Sequence, residues 1–204
     1  MATSHFDKKA ENWDNNPEKI KRASVFAEEI IKFIKPSKKT KALEFGCGTG
    51  LLSFQLQNYF KEITLVDTSE GMLNVLKEKI KQLKITNFKP LKINILKNFN
   101  TVSKIDVIYT LMTMHHIKNI DKTIQVFNLI LNKNGYLCIA DLVEEDGTFH
   151  NSSPDFDGHN GFKKENLTAT LLKNGFKTIH YSVCYEIKKN NKTYPLFLLI
   201  AEKI

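Results

Sequence analysis

Three cysteines, one tryptophan, five prolines and a single arginine are all that 204 residues hold of those types. Cys47, Cys138 and Cys184 lie far apart with no CxxC or CxH spacing. That excludes a disulfide framework and a zinc knuckle, and it fits free thiols in a reducing compartment. No apolar run approaches the ~18 residues that a membrane span needs. The polar start "MATSHFDKKAENW" also lacks the charged-then-apolar plan of a secretion signal. A cytoplasmic protein without a membrane partner is expected. The net charge of +8 would attract phosphates, but its lysines are spread along the chain, Arg22 is the only arginine, and no basic run is interleaved with aromatic residues. A nucleic-acid partner is therefore open but not preferred. Repeats and low-complexity stretches are absent, and nothing in the sequence speaks to oligomeric state.

What is present is a regular alternation. The stretch "PEKIKRASVFAEEIIKFI" has apolar residues at helical period between Pro17 and Pro36. The segments 41–45, 62–67, 88–94, 105–110 and 135–142 read as strands, and 51–60, 69–83, 120–131 and 163–173 as helices between and after them. Ser69 suits a helix N-cap, and Asn134-Gly135 and Asn174-Gly175 suit helix ends at which the glycine turns left-handed. Segments 177–187 and 192–203 read as a closing hairpin. The expectation is one α/β domain, residues 1–204. Its core is a Rossmann-like, doubly wound, mostly parallel sheet with an antiparallel C-terminal hairpin.

Between the first strand and its helix lies "ALEFGCGTG", with glycines at 46, 48 and 50. A phosphate-binding loop would continue Gly-Lys-Ser/Thr, whereas Leu51-Leu52 follow. A dinucleotide turn needs GxGxxG, and Glu44 beside it would repel a pyrophosphate. Asp67, at the end of the second strand, is placed to hold ribose hydroxyls. A ligand with ribose, no phosphate and a positive charge satisfies both demands, and S-adenosylmethionine is one.

At these residues, "LEFGCGTG" and "LVDTSEGML", the chain resembles the class I S-adenosylmethionine-dependent methyltransferases, and the element order is similar over nearly its whole length. The resemblance implies a seven-stranded sheet, S-adenosylmethionine as methyl donor and S-adenosylhomocysteine as product. It sets Glu44 and the turn Gly46, Cys47, Gly48 and Gly50 against the methionine part, and Asp67 on the ribose. Thr68 and Met72 are assigned to the cofactor with it. Asn94 and Ile95 would lie at the adenine, with asparagine where the family often has an acid, and Thr110 and Leu111 near the transferred methyl.

Methyl transfer from a sulfonium needs alignment and exclusion of water, and a base only when the acceptor must lose a proton. Candidates lie in two places. In "TLMTMHHIKN", His115 and His116 are adjacent, so on an α-helix they would point about 100 degrees apart and only one would line a pocket. The aperiodic stretch 144–162 leaves the carboxyl edge of the sheet, where ligands bind. It follows Asp141 and holds Asp146, His150 and His159. His116, His150 and Asp141 are the candidates for catalysis, and His115, Asp146, His159 and Trp13 for acceptor contact or a lid. The lid would be the N-terminal segment within residues 1–36. Asp141, Asp146, His150 and His159 match no metal-binding spacing, so no metal is expected. The expected function is methylation of a small-molecule acceptor. An RNA or tRNA methyltransferase and a non-catalytic cofactor-binding module are the alternatives.

Overall fold

A computed structural model describes residues 3–151 and 156–204. Seven strands, β1 (Lys41–Phe45), β2 (Glu62–Asp67), β3 (Phe88–Lys92), β4 (Ile105–Leu111), β5 (Leu131–Leu142), β6 (Phe176–Lys189) and β7 (Lys192–Lys203), form one sheet in the order β3-β2-β1-β4-β5-β7-β6. The pairs among β1 to β5 are parallel, and β7 runs antiparallel to both β5 and β6. The chain winds outward from β1 to β3 and then crosses back to β4 on the other side of β1. The crevice between the carboxyl ends of β1 and β4 is therefore the switch point at which such sheets bind ligands.

Strand residues alternate strictly between two cores. Ala42, Val107, Cys138 and Leu198 pack on one face, and their neighbours Leu43, Ile108, Ile139 and Leu199 on the other. Burial on both faces is why these strands read as nearly continuous apolar runs. Helices α2 (Pro17–Ile34), α3 (Leu51–Leu56) and α4 (Glu70–Gln82) cover the first face. Helices α5 (Ile95–Asn98), α6 (Ile120–Ile130) and α7 (Lys164–Lys173) cover the second. In α2 the side chain of Asn16 accepts from Glu18 N at 2.9 Å, Pro17 occupies the first turn, and Ala23, Phe26, Ala27 and Ile30 are buried.

Several boundaries differ from expectation. The helix after the glycine turn stops at Leu56, and β3 stops at Lys92. Asn94 thus lies beyond the strand, where its side chain caps α5 by accepting from Leu96 N at 3.1 Å. At residues 134–135 it is Asn134 that turns left-handed, with φ 61°. Gly135 is required for space, because a Cβ there would stand 2.9 Å from the carbonyl oxygens of Asn132 and Asp106. Gly175 has φ 78°, as expected of a helix end. The N-terminal segment is helical as well: α1 (Thr3–Lys9) runs into a 3-10 helix, Ala10–Asn15. Among the described residues no helix is long and apolar enough to cross a membrane.

Candidate active site

A cavity of about 1810 Å³ opens at the switch point. Pockets for one drug-sized ligand span ~300–1,000 Å³, so there is room for two molecules side by side. Its floor is the glycine turn, in which Gly46, Gly48 and Gly50 have φ 67°, 51° and 82°. The left-handed backbone lets Gly46 N and Cys47 N both donate to Val66 O, at 2.9 and 3.1 Å, which folds the turn against β2. A Cβ on Gly48 would meet only Met72 Sδ at 3.8 Å. The space above that glycine belongs to the cavity and would admit a ligand against the backbone.

Two carboxylates flank the turn. Asp67 accepts from Gly48 N at 2.8 Å through Oδ2 and from Ser69 N at 2.9 Å through Oδ1. It is held rigidly, with lone pairs left for a pair of hydroxyls. Burial raises its pKa against those hydrogen bonds. Glu44, 3% exposed, accepts a hydrogen bond from Ser53 Oγ, which also lies 2.6 Å from Tyr109 Oη. Burial pushes the Glu44 carboxyl up to about 8. A buried acid facing a cavity without a cationic partner is built to receive one. Cys47, whose thiol burial pushes far up, and Thr68, Met72, Asn94, Ile95 and Leu111 line the same cavity. These residues fit a nucleoside with a cationic amino-acid tail.

Two cofactor expectations move. Gly50 does not line the cavity; it starts α3, and a Cβ there would stand 2.7 Å from Leu76 Cδ1. Thr110 is buried in β4 without lining the cavity, and its hydroxyl has no partner. Thr49, within the glycine turn, and Met112, just after β4, line it as well. Met112 has φ 55°, a strained conformation for a side chain of its size, at the point where β4 gives way to the histidines.

The N-terminal helices form one wall. Asp7 accepts from Ser69 Oγ at 2.6 Å and from Gly71 N at 2.8 Å, which pins α1 to the start of α4. Asp14 receives Thr49 Oγ1 and Lys79 Nζ, each at 2.5 Å, so the 3-10 helix is clamped to the glycine turn itself. Trp13 lines the cavity with Lys19 Nζ 3.3 Å from its ring centroid. Burial lowers the Lys19 ammonium to about 8.

At the other end three histidines converge. His115 and His116 sit on the 3-10 turn Met114–His116, where both border the cavity with ring centroids 4.0 Å apart. The α-helix geometry that would have separated them does not form. His115 is 1% exposed; its Nδ1 lies 2.5 Å from Asp141 Oδ1, and its backbone N donates to Asp141 Oδ2 at 3.2 Å. Asp141 Oδ1 also accepts from Leu142 N at 2.7 Å. With its other partners all donors, the carboxylate accepts a hydrogen bond from Nδ1–H, which leaves the His115 Nε2 lone pair free. Asp141 therefore stands behind His115 and does not line the cavity. His150 enters from the 3-10 turn Thr148–His150 and stacks on Phe156 at 3.6 Å. Burial first, then neighbouring His115 and His150, pushes His116 down to about 2; burial, then His115, pushes His150 down to about 4. Both are neutral bases at physiological pH.

Asp146 and His159 do not join them. Asp146 is exposed and accepts from Lys192 Nζ at 2.6 Å and Thr148 Oγ1 at 2.5 Å, which ties the loop to the hairpin turn. His159 Nε2 donates to Ile117 O at 2.9 Å and its backbone N to His115 O at 2.7 Å, bracing the histidine turn from outside the cavity. Gly158 permits this approach, since a Cβ there would collide with His115 O.

The fold is a Rossmann-like sheet with a glycine turn after β1 and a carboxylate at the end of β2. The chain belongs to the methyltransferase domain family, whose profile matches residues 36–197. An uncharacterized methyltransferase of Schizosaccharomyces pombe is 32% identical over 148 residues, 65% of this chain and 51% of that one. This chain thus spans about half the length of that relative. A ubiquinone biosynthesis O-methyltransferase of Pelagibacter ubique is 32% identical over 152 residues, 67% of this chain and 62% of that protein. Among solved structures, the N-methyltransferase NodS from Bradyrhizobium japonicum, in complex with S-adenosyl-L-homocysteine, superposes with a TM-score of 0.72 at 16% identity. The superposition covers 94% of this chain and 90% of NodS.

Proposed function

We propose that this chain moves a methyl group from S-adenosylmethionine to a small-molecule acceptor held beside His115, His116 and His150. One observation carries the reading: a single cavity runs from the Asp67 carboxylate past the glycine turn to the histidine cluster. The donor, when bound, supplies a methyl group already activated by its sulfonium. Asp67 holds its ribose, Glu44 and the turn Gly46–Thr49 its cationic amino-acid end, and Asn94 and Ile95 its adenine. The Asn94 carbonyl, already accepting from Leu96 N, has one lone pair left for the adenine amine. Leu111 and Met112 border the transferred carbon.

The chain's task is then to align the acceptor in line with the sulfur–methyl bond and to exclude water. Helix α1, the 3-10 helix with Trp13, and α2 are the wall that does so, and residues 1–204 act as one unit with 1–36 as that wall. His116 and His150 present neutral imidazole nitrogens that accept hydrogen bonds from the acceptor, and Asp141 positions His115 by accepting a hydrogen bond from its Nδ1–H. Arg22 also lines the cavity, and its buried Nε has no partner among the described residues. With Lys19 nearby, an acceptor bearing a negatively charged group fits best. Three unpaired thiols fit a cytoplasmic setting.

The test uses S-adenosylmethionine labelled in the methyl group and a cell extract separated into small-molecule, protein and RNA pools, with Asp67→Ala as control. Counts above the control in the small-molecule pool are expected. Counts only in RNA or protein would overturn the acceptor class.

A further inference from the structure

We infer that His115, His116 and His150 form a binding site for a divalent transition-metal ion of the zinc type, with Asp141 as its outer support. One ring nitrogen from each histidine lies within 4.8 Å of the others. The imidazoles come from two segments separated by a strand: the turn after β4 supplies two and the turn after β5 the third. Among the described residues, the Nδ1 atoms of His116 and His150 are both buried without a hydrogen-bond partner. Buried imidazole nitrogens that go unpaired cost stability, and two of them facing a third ring call for a common partner.

His115 carries the second signature of a metal ligand. Asp141 holds its Nδ1, so coordination would be through Nε2, in the carboxylate–histidine–metal arrangement that fixes tautomer and ring orientation. Neutral imidazoles suit zinc, cobalt, nickel and iron rather than magnesium or calcium. Nitrogens around a tetrahedral ion at ~2.0–2.1 Å lie about 3.4 Å apart, closer than the 4.8 Å within which one nitrogen of each ring falls, so the rings draw together to bind. Three protein ligands leave a fourth position open, as in catalytic rather than structural sites. That position faces the cavity, because all three histidines line it. Spacing along the chain concealed the set: it skips Asp146 and His159, which the loop turns away, and recruits the adjacent pair 115–116.

Metal binding stands independently of the methyl-transfer reading; its consequence for chemistry rests on it. An acceptor hydroxyl bound at the open position would lose its proton to solvent near neutral pH. The oxygen would then form its bond to the methyl carbon as the sulfur–carbon bond breaks, with S-adenosylhomocysteine leaving. The histidines would act through the ion, and Arg22 would hold the acceptor's anionic group.

The experiment uses the full chain without an affinity tag, stripped with chelator, then titrated with Zn²⁺ by calorimetry and with Co²⁺ by visible absorption. Saturation at about one ion per chain is expected, with Co²⁺ showing the absorption of a low-coordinate nitrogen site. His116→Ala and His150→Ala should each weaken Zn²⁺ binding at least 100-fold. Asp141→Asn should weaken it 10- to 100-fold. His180→Ala, outside the cluster and stacked on Phe33, should leave it unchanged. Far-ultraviolet circular dichroism and thermal unfolding show whether each variant is folded. Absence of saturable Zn²⁺ binding, or binding that survives both cluster variants, would overturn the metal site. Methyl transfer at full rate by stripped enzyme would overturn the ion's part in chemistry and leave the transferase reading intact. Metal binding with no transfer to any pool would overturn the transferase reading, and the ion's part in that chemistry with it, and leave the metal site standing.

Discussion

If Glu44 receives the cationic end of the cofactor, as proposed, cofactor affinity depends on pH in a direction and size that follow from its surroundings. Its carboxyl is buried, and its pKa stands at about 8. A cationic ligand binds the ionised form, so binding expels a proton and affinity rises with pH until the group is ionised without help. For a pKa of about 8, the ionised fraction grows from about 3% at pH 6.5 to about 75% at pH 8.5. That is about a 25-fold gain in affinity, or ~1.9 kcal/mol, if only the carboxylate form binds. The ligand's own amine titrates in this range too, so the quantity to measure is the ratio between the wild type and Glu44→Gln. Glutamine keeps an acceptor for Ser53 Oγ and does not titrate, and both proteins see the same ligand. Calorimetry across this range should show the ratio widening in the wild type's favour as pH rises. The sign for folding is the opposite. A raised carboxyl pKa means that the folded chain binds the proton more tightly than the unfolded one. Relative to Glu44→Gln, the cofactor-free wild type should therefore lose stability as pH rises from about 4.5 towards 8, the other titrating groups being common to both proteins. A ratio that stays flat with pH would refute the assignment of Glu44 to the cationic end.

The remaining predictions concern other walls of the site. Gly71→Ala puts a Cβ 2.9 Å from Asp7 Cα, so α1 must lift off α4; KM for S-adenosylmethionine should rise several-fold with thermal stability little changed, and an unchanged KM would remove α1 from the site. Asp141→Asn should leave cofactor affinity within about twofold, yet lower turnover by ~100-fold or more and displace its pH profile, because the negative charge behind His115 is lost and the amide NH2 must face a donor where the carboxylate had only acceptors. Normal turnover and profile would make the pair purely structural. Phe26→Ala empties a fully buried position between α2 and the sheet and should cost about 3–5 kcal/mol in denaturant unfolding. A loss below about 1 kcal/mol would contradict the packing described for that face.

The strands and their order of alternation with helices were legible because parallel strands buried on both faces leave long apolar runs, as in "ALEF" and "LCIADL". The glycine turn, Glu44 and Asp67 were legible because they lie close in sequence to the backbone they serve. The acceptor end was not. His115 depends on Asp141, 26 residues away, and no periodicity reports a hydrogen bond across that distance. The acids and histidines of residues 144–162 are alike as residue types. What separates His150 from Asp146 and His159 is that Lys192 and Ile117 O claim the last two. Helix α1 went unseen because a seven-residue polar helix is held by Asp7 on Ser69 and Gly71 rather than by an apolar stripe. Gly71 and Gly158 were the available signals, each marking a place where another segment's backbone comes close.

The central claim is that the cavity at the switch point binds S-adenosylmethionine with its ribose on Asp67. Calorimetric titration of the wild type and of Asp67→Ala tests it most directly. One site per chain is expected, with affinity falling at least about tenfold in the variant, since charge-assisted hydrogen bonds worth roughly 1.5–3 kcal/mol are lost. Equal affinity in the two proteins, or NADH binding as well as S-adenosylmethionine does, would contradict it.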